Sequence, residues 1–173
     1  QGHPTNATYD FVTMLNKVMR EHAPTHLAVA FDSKEKTFRH EIYEQYKANR
    51  PAPPEDLVPQ FGDIHKVVEA MNIPMLLMPG YEADDIIGTM AKKGVEAGFD
   101  EVVVVTSDKD LCQVVGEKVR LLDTKKDEWT DVARVRERFG AGPERVTDFL
   151  ALCGDSSDNI PGAPGVGEKT ARQ

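Results

Sequence analysis

The 173-residue chain has the length of one domain with a small appendage. Its 40% apolar content is enough for a core, and no apolar stretch is long enough to span a membrane or to read as a signal peptide. A net charge of −8 argues at first against a nucleic-acid partner, since phosphate binders are normally basic.

Gln1 is not an initiator methionine, so the chain is expected to be cut or processed at that end. Residues 1–8 read as loop, and residues 9–21 carry helical spacing through Phe11, Leu15, Val18 and Met19. Residues 27–31 form a short unbroken apolar run, which predicts a buried strand leading straight into Asp32. Residues 34–50 are expected to be one helix, because Phe38, Ile42 and Tyr46 recur at every fourth position. Beside them run Lys36, Arg39, Tyr43, Lys47 and Arg50, three or four apart and so on one face. Bases interleaved with tyrosines suit a nucleic-acid backbone with a stacked base. A solvated face balanced by Glu35, Glu41 and Glu44 is the other reading.

Pro51-Ala52-Pro53-Pro54 breaks that helix and reads as an elbow, a lid or a plain connector. Residues 55–70 resume helical character with Phe61, Ile64, Val67 and Val68. Residues 75–78 predict a second strand, and the Pro79-Gly80 turn after it leads into Glu82-Ala83-Asp84-Asp85 at the start of a helix running to about 97. Acids are favourable in any first helical turn, so this cluster alone would say little. Residues 101–106, with four consecutive valines, predict a strand buried on both faces, followed by Asp108, Asp110 and a short helix near 111–115. A fourth strand is expected at 119–122 and a short helix at 132–139. Pro143 opens another helix at 144–152, which ends near Asp155 and Asp158. Alternating strands and helices predict an α/β domain with a largely parallel, Rossmann-like sheet. In such sheets ligands gather beyond the carboxyl ends of the strands, where Asp32, Glu82, Asp84, Asp85, Asp108 and Asp110 all fall.

The acidic clusters together hold eight carboxylates: Asp32, Glu82, Asp84, Asp85, Asp108, Asp110, Asp155 and Asp158. Setting these eight of the 29 acids aside leaves 21, equal to the 21 lysines and arginines, so the whole charge excess can be assigned to one site. Hard divalent cations take oxygen ligands, and eight carboxylates suit two ions better than one. In a two-metal phosphoryl site one ion generates hydroxide and the other steadies the leaving oxygen. Lys47 and Arg50 are placed to neutralise charge growing on the phosphate. His3, His22, His26, His40 and His65 are scattered and read as surface or capping residues. Cys112 and Cys153 show no framework and no metal spacing, as suits a reducing cytoplasm. Gly162, Gly165 and Gly167, followed by Lys169 and Thr170, can present backbone amides to an anion, although neither the Walker nor the dinucleotide-binding glycine spacing is present.

Taken in order, Phe31-Asp32, Phe38-Arg39, Tyr46-Lys47-Ala48-Asn49-Arg50, Gly80-Tyr81-Glu82-Ala83-Asp84-Asp85 and Thr106-Ser107-Asp108-Lys109-Asp110 form a set with Gly154-Asp155-Ser156-Ser157-Asp158-Asn159-Ile160-Pro161-Gly162 and Gly165-Val166-Gly167-Glu168-Lys169-Thr170-Ala171. Nearly the whole chain resembles the 5′ nuclease (5′-3′ exonuclease) domains of bacterial DNA polymerases I, within the flap endonuclease family. The resemblance implies a PIN-like α/β core over about 1–142, with a helical arch at about 34–70 and a DNA-binding helix–hairpin–helix over 143–173. It implies two Mg²⁺ or Mn²⁺ ions on the eight carboxylates and catalytic roles for Lys47 and Arg50. It implies DNA contacts from Lys36, Arg39, Tyr46, Lys47, Arg50, Gly162, Gly165, Gly167, Lys169 and Thr170, with K⁺ at the hairpin. The implied substrate is DNA with a 5′ flap, nick or 5′ end, or an RNA primer, cut during replication and repair by a cytoplasmic monomer whose parent protein carries a fused polymerase. The family opens with a strand bearing one more metal-site aspartate, which is expected to lie before Gln1. Two other readings remain: a non-catalytic DNA-binding fragment lacking that strand, and another Rossmann-like phosphoryl-transfer protein with an acidic pocket.

Overall fold

The first helix, α1 (Asn6–His22), buries Leu15 and Val18 toward α3 (Val58–Ala70), which buries Ile64 and Val68 in return. The structure is a computed structural model, described for residues 2–173. The contact is fixed by a polar group that the hydrophobic pattern does not reveal. Gln60 is 1% exposed, and its Oε1 accepts from the Ala7 and Thr8 amides at 2.8 and 3.1 Å. Its Nε2 donates to Asn6 Oδ1 and the Asp56 carbonyl at 3.0 and 2.9 Å. The Thr5 side chain makes no capping bond, so Gln60 supplies partners for amides left free at the α1 N-terminus.

The strands are shorter than their apolar runs suggest. β1 (Val29–Ala30) pairs in parallel with β2 (Met75–Leu76), where the sequence predicted strands at 27–31 and 75–78. β3 (Val102–Val105) pairs in parallel with β4 (Val119–Asp123), and β4 pairs antiparallel with β5 (Glu128–Thr130), which no pattern had marked. The α/β class holds, but among the described residues the sheet is divided between these two groups. Both groups lie under α4 (Ala83–Glu96), which contacts β1 and β3. Of the four valines of β3, expected to be buried on both faces, only Val104 is fully buried and the other three are half-buried.

The main core gathers Ala91 of α4, Val104, Leu111, Cys112, Val115, Val119 and Leu121 with Val135 and Phe139 of α5 (Val132–Phe139) and Val146 and Phe149 of α6 (Val146–Cys153). Local signals bound these helices well. Asp131 caps α5 by accepting from the Arg134 amide at 2.9 Å, and the helix stops at Gly140. The helix expected at 144–152 is a 3₁₀ turn, Pro143–Arg145, followed by α6, and the short helix near 111–115 is a 3₁₀ turn over Asp110–Val114. Beyond α6, a two-residue ladder of β6 (Gly154–Asp155) with β7 (Ile160–Pro161) leads to α7 (Glu168–Ala171).

The largest correction concerns residues 34–50. Only α2 (Phe38–Ile42) is helical there, and residues 44–49 follow as turns. Lys47 adopts φ +56°, in the left-handed region, which no continuing helix permits. The basic stripe therefore does not lie on one helical face; its members turn separately toward acids, as set out below.

Leu121, 3% exposed at the centre of β4, tests the core. Leu121→Ala should lower unfolding free energy by about 3 kcal/mol, measured by urea denaturation; a loss under about 1 kcal/mol would place the core elsewhere.

Candidate metal centre and nucleic-acid interface

Strand, helix and hairpin ends carry the eight acids. Asp32 follows β1, and its Oδ1 accepts from the Ala83 amide at 2.7 Å, tying the strand exit to the start of α4. Glu82 is the N-cap of α4, with Asp84 and Asp85 in its first turn. Past β3, Asp108 donates its amide to Thr106 Oγ1 at 3.0 Å and accepts from the Asp110 amide at 2.9 Å. Asp155 and Asp158 sit in the β6–β7 hairpin, where Asp155 Oδ1 accepts from the Ser157 amide at 2.7 Å and the Ser157 hydroxyl at 2.5 Å.

The titration shifts show which of these acids feel one another. Asp84 reaches solvent in part, yet desolvation by the surrounding protein, then the charges of Asp108, Asp32 and Glu82, push its carboxyl up to about 6. Burial, followed by Asp108 and Asp155 and more weakly Asp158, pushes Asp110 up to about 6 as well. Asp108 thus lies between two overlapping acidic groups, one with Asp32, Glu82 and Asp84, the other with Asp110, Asp155 and Asp158. Asp110 Oδ1 is buried and has no hydrogen-bond partner. Burial also raises the Asp155 carboxyl, but the Ser157 hydroxyl and the amides of Ser157 and Asp158 outweigh it and leave it below the ordinary value.

Asp85 stands apart. Arg39 grips it with two parallel bonds of 2.7 Å, and its Oδ2 also accepts from the Glu82 amide at 3.0 Å. The Arg39 guanidinium, outweighing partial burial, holds this carboxyl below its ordinary value and is itself raised by the pairing. Such a planar two-bond pair fixes geometry as well as charge. Asp85 therefore serves here to anchor α2 to the first turn of α4.

The remaining bases converge on the same acids. Lys47 Nζ donates to Glu82 Oε1 at 2.7 Å, and Arg50 Nη2 donates to Asp158 Oδ1 at 2.5 Å. Tyr46 is 5% exposed, and its hydroxyl lies 3.0 Å from both Glu82 Oε2 and Asp158 Oδ2. Burial, then the two carboxylates, raises this phenol far above its ordinary value, so it remains a donor. A base-stacking role for Tyr46 would need it to leave this position, whereas Lys36 is exposed and makes no ion pair among the described residues. His40 meets the sequence expectation of a capping histidine, its Nδ1 lying 3.1 Å from the Thr37 amide. Asn49 and Asn159 were not anticipated: Asn49 Nδ2 donates to the Ser156 carbonyl and Asn159 Nδ2 to the Gln45 carbonyl, both at 2.8 Å. The only local cue was an asparagine beside a turn.

Among the described residues, no three acids, histidines or cysteines stand close enough together to hold a metal ion as they are. The donor set nevertheless fits hard divalent cations: it is all carboxylate oxygen, two members hold their protons abnormally well, and one buried oxygen is without a partner. Three of the eight acids are occupied by Arg39, Lys47 and Arg50.

The hairpin beyond Asp158 is built for close approach. A Cβ on Gly162 would fall 2.5 Å from the Cys153 carbonyl oxygen and 2.6 Å from the Gly154 nitrogen, and Gly154 itself has φ +73°. Gly165 has φ +77°, while a side chain at Gly167 would meet nothing within 4 Å. Lys169 and Thr170 are exposed on α7. Among the described residues no helix is long and apolar enough to cross a membrane.

Acids gathered at the strand ends of an α/β domain, followed by a glycine-pinched hairpin between two helices, define the class of arrangement to which the chain is to be compared. The sequence narrows it: residues 1–140 match the family described as 5'-3' exonuclease, N-terminal resolvase-like domain, and residues 141–173 match 5'-3' exonuclease, C-terminal SAM fold. The chain belongs to the 5'-3' exonuclease family. It is 47% identical over 179 residues to DNA polymerase I of Rhizobium leguminosarum, covering 99% of this chain but 18% of that protein. It is 43% identical over 171 residues to a 5'-3' exonuclease of Aquifex aeolicus, covering 99% of this chain and 59% of that protein. Its fold is similar to that of the bacteriophage T5 flap endonuclease crystallised in a pseudo-enzyme–product complex with DNA and metal ions, with TM-score 0.81, 23% identity, and coverage of 98% of this chain and 65% of that one. The chain therefore spans about a fifth to about two thirds of the relatives it matches.

The raised Asp110 carboxyl makes a stability prediction. Its value in the fold is about 6 against an ordinary 3.8, so the unfolded chain releases this proton first, and stability falls as pH rises from about 4 to about 6. The shift corresponds to about 3 kcal/mol, which partial exposure to solvent reduces to about 1 kcal/mol. Asp110→Asn should therefore stabilise the metal-free chain by about that amount at pH 7.5 and leave it unchanged at pH 4. Urea titrations in EDTA at the two pH values check it; equal stability of both proteins at pH 7.5 would show that the carboxylate is not strained by its neighbours.

Proposed function

We propose that the chain forms the body of a metal-dependent, structure-specific 5′-3′ exonuclease and flap endonuclease that hydrolyses DNA phosphodiesters in replication and repair. The observation that carries this is the gathering of carboxylates at the exits of β1 and β3 and the start of α4, with Asp110 Oδ1 buried and without a partner. Asp32, Glu82, Asp84 and Asp108 would hold one divalent cation, and Asp108, Asp110, Asp155 and Asp158 a second, with Mg²⁺ or Mn²⁺ as the ion. Bound there, the ions supply an activated water and a counter-charge for the leaving oxygen. Asp85 would keep its partnership with Arg39 and position the first turn of α4 rather than ligate.

The chain's own groups do the rest. Lys47 and Arg50, once clear of Glu82 and Asp158, bring two positive charges to the scissile phosphate, where they neutralise charge growing in the transition state. Exposed Lys36, and the face of Arg39 that its bond to Asp85 leaves open, would steer a single 5′ strand, and Tyr46 would present its ring to a base after the loop opens. Gly162, Gly165 and Gly167 would bring the backbone of this loop close to the duplex, with Lys169 and Thr170 beside it and a K⁺ ion held by loop carbonyl oxygens. This divides the chain at about 142 into a nuclease core with its arch at 34–70 and a helix–hairpin–helix. The substrate would be DNA with a 5′ flap, nick or 5′ end, or an RNA primer. The parent protein would join a polymerase to this unit, act as a monomer and work in the cytoplasm, where Cys112 and Cys153 stay free thiols.

A labelled 5′-flap DNA tests the proposal. Cleavage should require Mg²⁺, vanish in EDTA, and fall by at least about a thousandfold in Asp84→Asn or Asp108→Asn while flap binding in Ca²⁺ persists. Lys47→Ala should slow cleavage by about a hundredfold and weaken binding far less. Binding without any cleavage by the unaltered chain would favour the DNA-binding reading instead.

A further inference from the structure

All four carboxylate oxygens of Glu82 and Asp158 are engaged by one five-residue stretch. Glu82 takes Lys47 Nζ on Oε1 at 2.7 Å and the Tyr46 hydroxyl on Oε2 at 3.0 Å. Asp158 takes Arg50 Nη2 on Oδ1 at 2.5 Å and the same Tyr46 hydroxyl on Oδ2 at 3.0 Å. The Glu82, Asp158 and Lys47 side chains are 13%, 16% and 22% exposed, so these charges are largely removed from water. The backbone closes the contact: the Lys47 amide donates to the Asp158 carbonyl at 2.9 Å and Arg50 Nε to the Ser157 carbonyl at 3.1 Å. Asn49 and Asn159 add their bonds to the Ser156 and Gln45 carbonyls. Lys47 is held at φ +56°, a conformation lysine rarely takes without such restraint.

We propose that residues 46–50 form a clasp that acts as the protein's internal counter-ion, and that a divalent cation must displace it from Glu82 and Asp158. The inference rests on the metal-binding reading above. An ammonium and a guanidinium supply the two positive charges that the acids need when no metal is present. A cation on Glu82 would lie next to Lys47, and one on Asp158 next to Arg50, and like charges at such separations repel strongly in a partly dry site. Cation and clasp are therefore alternative occupants, and a ligand that binds only the open form shifts the population toward it. Opening carries Lys47 and Arg50 off the acids and makes them available to a phosphate. Tyr46 is the positioning residue: one hydroxyl spans Glu82 of α4 and Asp158 of the hairpin, so it sets their spacing in the closed state without adding charge.

Trypsin reports the clasp directly. It can cut after Lys47, at the Lys47–Ala48 bond, whereas Arg50 is followed by proline and is resistant. Exposed Lys125, in the turn between β4 and β5, provides an internal reference for the rate. In EDTA the cut after Lys47 should be slow; at saturating Mg²⁺, with binding followed by calorimetry, it should quicken about tenfold relative to the cut after Lys125. Tyr46→Phe keeps the charge and should raise the metal-free rate and tighten Mg²⁺ binding severalfold, since it weakens a competitor. A purely structural tyrosine would give the opposite sign for Mg²⁺. Circular dichroism checks that the variant folds, and Arg50→Gln, at a half-exposed position, should raise the metal-free rate in the same direction. Mg²⁺ binding with an unchanged cut after Lys47, or weaker Mg²⁺ binding by Tyr46→Phe, would overturn the clasp and leave the nuclease reading intact. Absence of both Mg²⁺ binding and flap cleavage would overturn the metal reading, and the clasp with it.

Discussion

Like-charge repulsion at the strand ends is the constraint on which the rest of this structure depends. Asp32, Glu82, Asp84, Asp108, Asp110, Asp155 and Asp158 face one region, and two of them retain protons at pH values where free aspartate has lost them. A fold that gathers such a set loses stability for it, and the loss is acceptable only where something positive is recruited. Every notable feature around the site answers that need. Arg39 takes Asp85, Lys47 takes Glu82, Arg50 takes Asp158, and backbone amides serve Asp32, Asp108 and Asp155. The demand is left unmet at Asp110, whose Oδ1 is buried and unpartnered, and at Asp84, whose carboxyl its acidic neighbours push up.

The scaffold explains how acids so distant in sequence meet. β1 and β3 both lie under α4, so the exits of two separate strand groups and the first turn of that helix point the same way. The hairpin carrying Asp155 and Asp158 is joined to α6, whose Val146 and Phe149 belong to the main core. Gly154 and Gly162 let the two limbs of that hairpin touch, which brings the start of the glycine-rich loop beside the turn that carries the two acids.

Much of this was legible in the residues. Acids ending apolar runs marked the site because strand and helix ends are where backbone and side chains open to a ligand. Asp131, Gly140 and Pro143 marked element boundaries through capping and backbone restriction. What stayed hidden was tertiary in origin. The run from 34 to 50 has good helical periodicity, but bonds from Arg39, Lys47 and Arg50 to acids 35 to 108 positions away outweigh one helix's local preference. Gln60 reads as an ordinary polar residue on a helix, yet it is buried because the start of α1 lies over it. β5, β6 and β7 are too short for a period of two to be recognised.

The rim of the sheet has a colloidal consequence. Among the described residues β2 is paired on one edge alone, by β1. Beside that edge, β2 and its flank expose Met75, Leu77 and Met78. Open edges beside apolar side chains are templates for strands of other molecules. What opposes that stickiness is the chain's surplus of negative charge. Asp84 and Asp110 begin to regain protons near pH 6, so mild acid removes part of that mutual repulsion first at the acidic face. The same carboxylates that await a cation thus also help to keep separate copies of the chain dispersed.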